Sequence, residues 1–85
     1  MAAAILIVDD EPDLCWALEF ILKKGGFSTA TALSSHKALE LMESNRFAAV
    51  FLDAKLPDMD GLELARQFRL RDPHLNIILV SGYFY

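Results

Sequence analysis

Three short runs of aliphatic residues alternate with amphipathic segments along the chain. The runs occupy residues 5–8, 48–52 and 77–80, and each one stops at a polar residue. Unbroken aliphatic runs of this length predict strands that are buried on both faces of a sheet. A weaker run rich in Thr and Ala, at residues 27–32, predicts a marginal strand at a sheet edge. The alternation of strands with helices predicts an α/β fold with a parallel sheet and right-handed crossovers.

The segments between these runs space their apolar residues as amphipathic helices do. Pro12 suits the first turn of the first helix, and the glycine pair at residues 25–26 ends it. Ser34 or Ser35 can cap the second helix, and Asp60 can cap the third. The apolar residues expected to face the core are Leu14, Leu18, Ile21 and Leu22 in the first helix, Ala38, Leu39, Leu41 and Met42 in the second, and Leu62, Leu64, Ala65 and Phe68 in the third.

Composition and charge exclude several classes of protein. With 54% hydrophobic residues and a mean hydropathy of +0.30, the chain of 85 residues is not a disordered acidic tail. Its net charge of −4 leaves no basic face for the phosphates of nucleic acids, so direct nucleic-acid binding is not expected. A single cysteine, Cys15, excludes an internal disulfide. The longest apolar run, residues 2–8, is too short to cross a membrane and is followed by acids, so we expect a cytoplasmic protein.

Oxygen-bearing side chains follow each of the aliphatic runs. Asp9 and Asp10 come directly after the first run, Asp53 follows the second, and Ser81 follows the third. The carboxyl ends of parallel strands meet at one edge of a sheet, where α/β proteins bind their ligands. Clustered carboxylates repel one another unless a cation lies between them, and oxygen ligands without Cys or His favour Mg²⁺. We therefore expect a magnesium site that serves phosphoryl chemistry, although solvated loop acids and, for Ser81, a turn residue are simpler alternatives.

Several other polar side chains are expected to have structural roles. Glu11 and Asp13 lie where they would favour the positive end of a helix dipole. Asp58 and Asp60 have the positions of turn and cap residues. Surface positions outside any site are expected for His36, His74, Arg66, Arg69 and Arg71.

Three segments of the chain resemble the receiver domain of two-component response regulators. They are Ile5-Leu-Ile-Val-Asp-Asp-Glu-Pro12, Leu52-Asp-Ala-Lys-Leu-Pro-Asp-Met-Asp-Gly61 and Ile78-Leu-Val-Ser-Gly82. The resemblance covers essentially the whole chain and implies that residues 1–85 are the N-terminal portion of a single receiver domain. The implied fold is a flavodoxin-like, CheY-like doubly wound parallel sheet. Here it would be incomplete, with about four strands and three helices.

The resemblance also implies roles for individual residues. Asp53 would be the phosphoacceptor, whose carboxylate takes a phosphoryl group from a phosphohistidine on a separate sensor histidine kinase. The implied Mg²⁺ ligands are Asp10 directly, Asp9 largely through water, Asp53, and the backbone carbonyl of Lys55. Ser81 would hydrogen-bond the acquired phosphoryl group. Such a chain is a signalling domain rather than an enzyme, because it assists only its own phosphoryl transfer.

The chain departs from the family pattern at its C-terminal end. It stops just after the predicted fourth strand, so the fifth strand, the lysine that the family carries there and the last helices are missing. We expect a piece of a longer domain, or a chain that forms a homodimer or exchanges segments through the uncovered side. The apolar ending at residues 83–85 favours truncation. Partial compensation for the missing lysine by the ammonium of Lys55 is a further hypothesis.

Trp16 and Phe20 lie one turn apart, off the main apolar stripe of the first helix. Two interpretations fit this position: packing at the periphery of the core, or an exposed face on which a kinase docks. Core packing is the favoured interpretation.

Two other functions compete with phosphoacceptance. A truncated receiver that is never phosphorylated could act as a dimerisation or interaction module. A Mg²⁺-dependent phosphohydrolase could use Asp53 as its nucleophile, but that class usually places an acid two residues later, where this chain has Lys55. The segments at residues 16–18 and 52–56 look most similar to receivers of nitrogen-regulator-type transcription activators, whose output domains would lie beyond this chain.

Overall fold

The computed structural model describes residues 3–80, which alternate strictly between strands and helices. The elements are β1 (Ala4–Val8), α1 (Pro12–Lys24), β2 (Ser28–Ala32), α2 (Ser35–Ser44), β3 (Ala49–Asp53), α3 (Gly61–Arg71) and β4 (Asn76–Val80). The predicted α/β order is confirmed, and the predicted strand ends agree with the structure to within one residue. Ser81, the predicted hydroxyl donor, lies outside the described residues. Within residues 3–80, no helix combines the length and the apolar character that crossing a membrane requires.

All four strands form one parallel sheet in the order β2-β1-β3-β4. β2, the weak strand rich in Thr and Ala, lies at one edge, as predicted. β1 is central, and its Leu6 lies between Ala30 of β2 and Val50 of β3. Since the strands are parallel, the residues that follow β1 and β3 meet at the same carboxyl edge.

The main core lies between the sheet and the helix pair α2 and α3. Leu6, Leu52, Leu64 and Phe68 are fully buried there, and Val8 is nearly so. Burial of one such side chain contributes about 1.5–3 kcal/mol before the loss of conformational entropy is subtracted. Alternate residues of a strand point to opposite faces, so the remaining side chains of β1 face α1.

α1 covers the opposite face of the sheet, where it contacts β1 and β2. Ile5, Ile7 and Cys15 are buried on this side. Farther along the same face, over β3 and β4, Phe51 is half-buried and Ile78 is exposed. The α1 side of the sheet is therefore less completely covered, in the described part of the chain, than the side that carries α2 and α3.

The prediction of which α1 residues face the core is wrong in part. Leu14 and Ile21 are exposed, whereas Cys15, which was not assigned to the stripe, is the buried residue of this helix. α1 packs on two strands near one edge of the sheet, so only a narrow part of its circumference is covered. Leu62 was also predicted to be buried and is exposed, in the first turn of α3.

Trp16 and Phe20 are exposed, so the favoured interpretation of them as core residues is wrong. Their side chains are 67% and 51% exposed. Cys15 faces the sheet, and each step along a helix turns by about 100°, which directs Trp16 away from it. The two rings stack with centroids 5.6 Å apart, and the Nζ atom of Lys24 lies 4.9 Å from the centroid of Phe20.

Candidate metal centre

Asp9, Asp10 and Asp53 lie together at the carboxyl edge of the sheet. Each contributes one carboxylate oxygen to a group in which these atoms all lie within 4.8 Å of one another. The sheet register causes this proximity, because Val8 of β1 pairs with Leu52 of β3 and an acid comes directly after each of these two residues. Oxygen atoms so arranged can serve as ligands of one hard divalent cation.

The three carboxylates differ in their exposure to water. Asp9 is only 6% exposed, Asp53 is half-buried and Asp10 is exposed. Loss of hydration raises the pKa of Asp9, and the N–H of Glu11 offsets part of this rise. The negative charges of Asp53 and Asp10 raise the pKa of Asp9 further. An ionised Asp9 therefore destabilises the fold unless a cation is bound beside it.

Backbone hydrogen bonds fix the position of Asp9. Its N–H donates to the carbonyl of Ala32 at 3.1 Å, and its Oδ1 accepts from the N–H of Glu11 at 2.9 Å. Its carbonyl accepts a weak bond from the thiol of Cys15, with 3.5 Å between Sγ and oxygen. Burial raises the pKa of Cys15, so the sulfur keeps the proton that it donates. The buried carboxylate therefore has a defined direction at the end of β1.

The β3–α3 loop, residues 54–60, holds Asp53 from the other side. The N–H of Lys55 donates to Asp53 Oδ1 at 3.0 Å. The preceding residue, Ala54, donates its N–H to Val80 of β4 at 3.1 Å and accepts from the N–H of Gly61 at 3.0 Å. The main chain of Lys55 is thereby kept next to the carboxylate of Asp53, while its side chain is exposed.

Gly61 is required where α3 begins. A Cβ atom at this position would collide with the backbone oxygen of Asp53 and would lie 2.7 Å from the Cα of Ala54. Only a residue without a side chain lets α3 approach the end of β3 this closely. The sequence showed Gly61 as part of the receiver-like segment, but the close approach itself depends on the packing of α3.

Asp58 and Asp60, predicted to be turn or cap residues, stabilise two different helices. Asp60 Oδ1 accepts from the N–H of Leu62 at 3.0 Å, so it caps its own helix, as predicted. Asp58 instead accepts from the N–H groups of Ser35 and His36 at the start of α2. The N–H and hydroxyl of Ser35 lower the pKa of Asp58, with a smaller contribution from the N–H of His36. Sequence reasoning missed this contact, because its partners lie more than twenty residues apart and no local pattern connects them.

The remaining predicted structural residues lie outside the carboxylate cluster. Glu11 is the N-cap residue of α1 without a side-chain cap bond, and Asp13 lies in the first turn. The expected exposed positions are confirmed for His36, His74, Arg66, Arg69 and Arg71.

An open cleft of about 570 Å³ lies between the C-terminal ends of α2 and α3. It is at the opposite edge of the sheet from the carboxylates, and its lining residues include Arg46 and Arg71. The acidic cluster does not contribute to it.

Comparison with known proteins identifies a family and a fold. The family model of the response regulator receiver domain matches residues 5–84. Among curated proteins, sporulation initiation phosphotransferase F of Bacillus subtilis (strain 168) is 32% identical over 83 residues, which cover 98% of this chain and 67% of that protein. Nitrogen assimilation regulatory protein NtrX of Azorhizobium caulinodans is 38% identical over 85 residues, covering 98% of this chain and 19% of that protein.

Solved structures give the same result. A response regulator receiver domain protein (CheY-like) from Methanospirillum hungatei JF-1 superposes with a TM-score of 0.95 at 32% identity, covering 100% of this chain and 68% of that one. The response regulator protein TrrA from Thermotoga maritima, in complex with Mg²⁺-BeF, gives a TM-score of 0.90 at 35% identity, with 98% of this chain and 71% of that chain covered.

The resemblance that the sequence indicated is thus confirmed at the level of family and fold. The chain spans about a fifth of the length of NtrX and about two thirds of the shorter relatives. With its parallel sheet and its acids at the ends of β1 and β3, the chain belongs to the receiver domain family of two-component response regulators.

Proposed function

We propose that Asp53 accepts a phosphoryl group from the phosphohistidine of a sensor histidine kinase in the cytoplasm. One carboxylate oxygen of Asp53 attacks phosphorus, the bond between phosphorus and the histidine nitrogen breaks, and its electron pair returns to the imidazole ring. The product is an acyl phosphate on Asp53. The observation that carries this proposal is the cluster of Asp53 with Asp9 and Asp10 at one sheet edge, with oxygens within 4.8 Å.

Asp9, Asp10, Asp53 and the backbone carbonyl of Lys55 would hold Mg²⁺. The donor set fits this ion, since it consists of oxygens and includes one buried carboxylate whose pKa is raised by dehydration and by its acidic neighbours. When bound, Mg²⁺ supplies neutralisation of the charge on the transferring group. The Thermotoga maritima relative contains Mg²⁺-BeF, which supports the assignment of this ion.

The residues of this chain orient the reaction. The N–H of Lys55 holds Asp53 Oδ1 at 3.0 Å, which fixes the rotation of the carboxylate. Asp9 is directed by the N–H of Glu11. Ser81 would donate its hydroxyl to the acquired phosphoryl group, and the small Gly82 would leave room for it. Both residues follow β4, whose last residue, Val80, is paired with Asp53.

The test is incubation of the chain with acetyl phosphate and Mg²⁺, followed by intact-mass measurement. We expect one added phosphoryl group in the wild type and none after Asp53→Asn, which keeps the shape of the side chain but removes the nucleophile. Chelation of the metal should abolish the addition. An unmodified wild type would contradict the proposal and favour a chain that acts only as an interaction module.

Two further measurements define what kind of phosphoacceptor this is. Steady release of phosphate over many turnovers would show an enzyme and contradict a domain that assists only its own phosphorylation. Lys55→Ala tests whether the ammonium of Lys55 assists the transfer: we propose a slower phosphorylation of Asp53, and an unchanged rate would reject this role.

Self-association through the α1 side of the sheet and the β4 edge is the second proposed property. Ile78 and Leu79 of β4 are exposed large aliphatic residues, and exposed strands with apolar side chains recruit partners. Light scattering at concentrations of tens of micromolar should show a homodimer, and Ile78→Lys, on the α1 side of the sheet, should return it to a monomer. A monomeric wild type would contradict this property without affecting phosphorylation of Asp53.

A further inference from the structure

Asp58 connects the β3–α3 loop to the beginning of α2. Both of its carboxylate oxygens accept backbone hydrogen bonds there, Oδ1 from Ser35 at 3.0 Å and Oδ2 from His36 at 3.1 Å. Ser35 is itself buried. A carboxylate held by two successive N–H groups is fixed in direction as well as in position. The middle of the loop is therefore anchored to a helix that precedes β3 in the chain.

The same contact also serves the first turn of α2. Its N-cap residue, Ser34, binds two amides: its hydroxyl oxygen accepts from Lys37 at 3.2 Å and its carbonyl from Ala38 at 3.1 Å. The amides of Ser35 and His36 come before these, and an N-cap residue cannot reach all the unpaired amides of a first turn. Asp58 supplies the two remaining acceptors from another part of the chain.

The two ends of the same loop are bonded at the carboxylate site. Lys55 donates its N–H to Asp53 at one end, and Gly61 donates its N–H to Ala54 at the other. Asp58 lies between these bonds. Leu56 and Met59 of the loop pack against the core, and the two hydrogen bonds of Asp58 add a directional restraint that fixes the middle of the loop against α2.

We propose that Asp58 is a positioning residue for the carboxylate site: by fixing the β3–α3 loop against α2, it holds the main chain of Lys55 beside Asp53. This inference rests on the proposed function, because the Lys55 carbonyl is one of the Mg²⁺ ligands assigned there. Asp58 binds neither the metal nor the phosphoryl group. Its loss removes no ligand but loosens the main chain that carries one.

Three variants of the full chain separate positioning from simpler effects. Asp58→Ala removes the contact. Ser34→Ala weakens the same end of α2 without touching the loop. Asp60→Asn removes one negative charge from the same loop and keeps a good helix cap, so it controls for electrostatics.

Mg²⁺ affinity by titration calorimetry and the rate of phosphorylation by acetyl phosphate are the first measurements. We expect Asp58→Ala to weaken Mg²⁺ binding by about 10-fold, as the loss of residues that orient a metal ligand does, and to slow phosphorylation. Ser34→Ala and Asp60→Asn should stay close to the wild type. Equal Mg²⁺ affinities of the Asp58→Ala and Ser34→Ala proteins would overturn the proposal.

Amide hydrogen exchange without metal gives a second, independent measurement. In Asp58→Ala the amides of Lys55 and Gly61 should exchange faster than in the wild type, whereas Ser34→Ala should affect only α2. Unchanged exchange at Lys55 would also overturn the proposal.

A wild type that binds no Mg²⁺ would refute the proposed function, while the exchange at Lys55 would still decide the role of Asp58. Asp58→Asn, which keeps one oxygen acceptor, serves if the alanine variant does not fold, and it should show the same changes to a smaller extent.

Discussion

Asp9 directly follows Val8, the last residue of β1, and Asp53 directly follows Leu52 as the last residue of β3. The core that contains Val8 and Leu52 and the carboxylate site that contains Asp9 and Asp53 nevertheless have opposite energetics. Val8 and Leu52 are buried in the core under α2 and α3, where removal of apolar surface from water stabilises the fold. Asp9 is almost as deeply buried, but its dehydration beside other carboxylates opposes folding. The sheet register that builds the core therefore also forces the acids together, and the core must offset the unfavourable free energy of the site.

The largest effect is expected in the core. Phe68→Ala should lower the free energy of unfolding by about 3–5 kcal/mol, because a fully buried ring of α3 is lost and a cavity is left. Urea denaturation followed by circular dichroism measures this change. Leu70→Ala, an exposed position of the same helix, is the matched control and should change the free energy of unfolding by less than about 0.5 kcal/mol. Similar losses of unfolding free energy in both variants would mean that the face of α3 with Phe68 is no more buried than the face with Leu70.

The second largest effect is expected at Gly61, which lies between the core and the carboxylate site. Gly61→Ala should destabilise the fold by roughly 2 kcal/mol, since the added Cβ would collide with the backbone of Asp53 and Ala54. It should also weaken Mg²⁺ binding by displacing Asp53. Gly25→Ala is the control: its Cβ would find its nearest neighbour at 3.4 Å, and we expect little change in thermal unfolding. Equal stability of the two variants would contradict the close approach of α3 to β3.

A smaller effect of opposite sign is expected at the site. Asp9→Asn should raise the free energy of unfolding by roughly 1 kcal/mol at neutral pH in the absence of metal, because it removes a charge that burial disfavours. The native pKa of Asp9 lies above the ordinary value of 3.8, so the wild type loses stability as pH rises from 3.8 through that native pKa. The gain from Asp9→Asn should therefore be complete above the native pKa and vanish below 3.8.

Denaturation of both proteins at several pH values checks this prediction, with Glu43→Gln on the exposed side of α2 as the control. The same substitution should weaken Mg²⁺ binding. If Asp9→Asn is less stable than the wild type at neutral pH without metal, burial does not disfavour the ionised carboxylate of Asp9.

The smallest effect is expected on the exposed face of α1. Trp16→Ala should change the free energy of unfolding by less than about 1 kcal/mol, which corresponds to loss of its stacking on Phe20. Chemical denaturation monitored by circular dichroism measures it without relying on the deleted fluorophore. A loss of unfolding free energy close to that of Phe68→Ala would show that the face of α1 with Trp16 and Phe20 is covered in solution. That face would then count as core and not as surface.

The sequence by itself determined the order of the elements and the composition of the site. Unbroken aliphatic runs mark strands that are buried on both faces, and parallel strands end at a common edge, so the sequence alone predicts that the acids at positions 9, 10 and 53 lie near one another. The cap Asp60 was also predictable, and the cap of α2 was predicted as Ser34 or Ser35, of which the structure shows Ser34, because a helix cap depends on residues within one turn.

Only the tertiary structure decided which way α1 is rotated, how deeply Asp9 is buried and what Asp58 binds. Helical periodicity shows which residues share a face, but the width of the face that is covered depends on the strands beneath it, and this is why Trp16 and Ile21 were misplaced. Asp58 reaches Ser35 through contacts between layers that are distant in the chain. Patterns along a sequence report interactions between neighbours, whereas burial and long-range hydrogen bonds arise only when separate elements pack together.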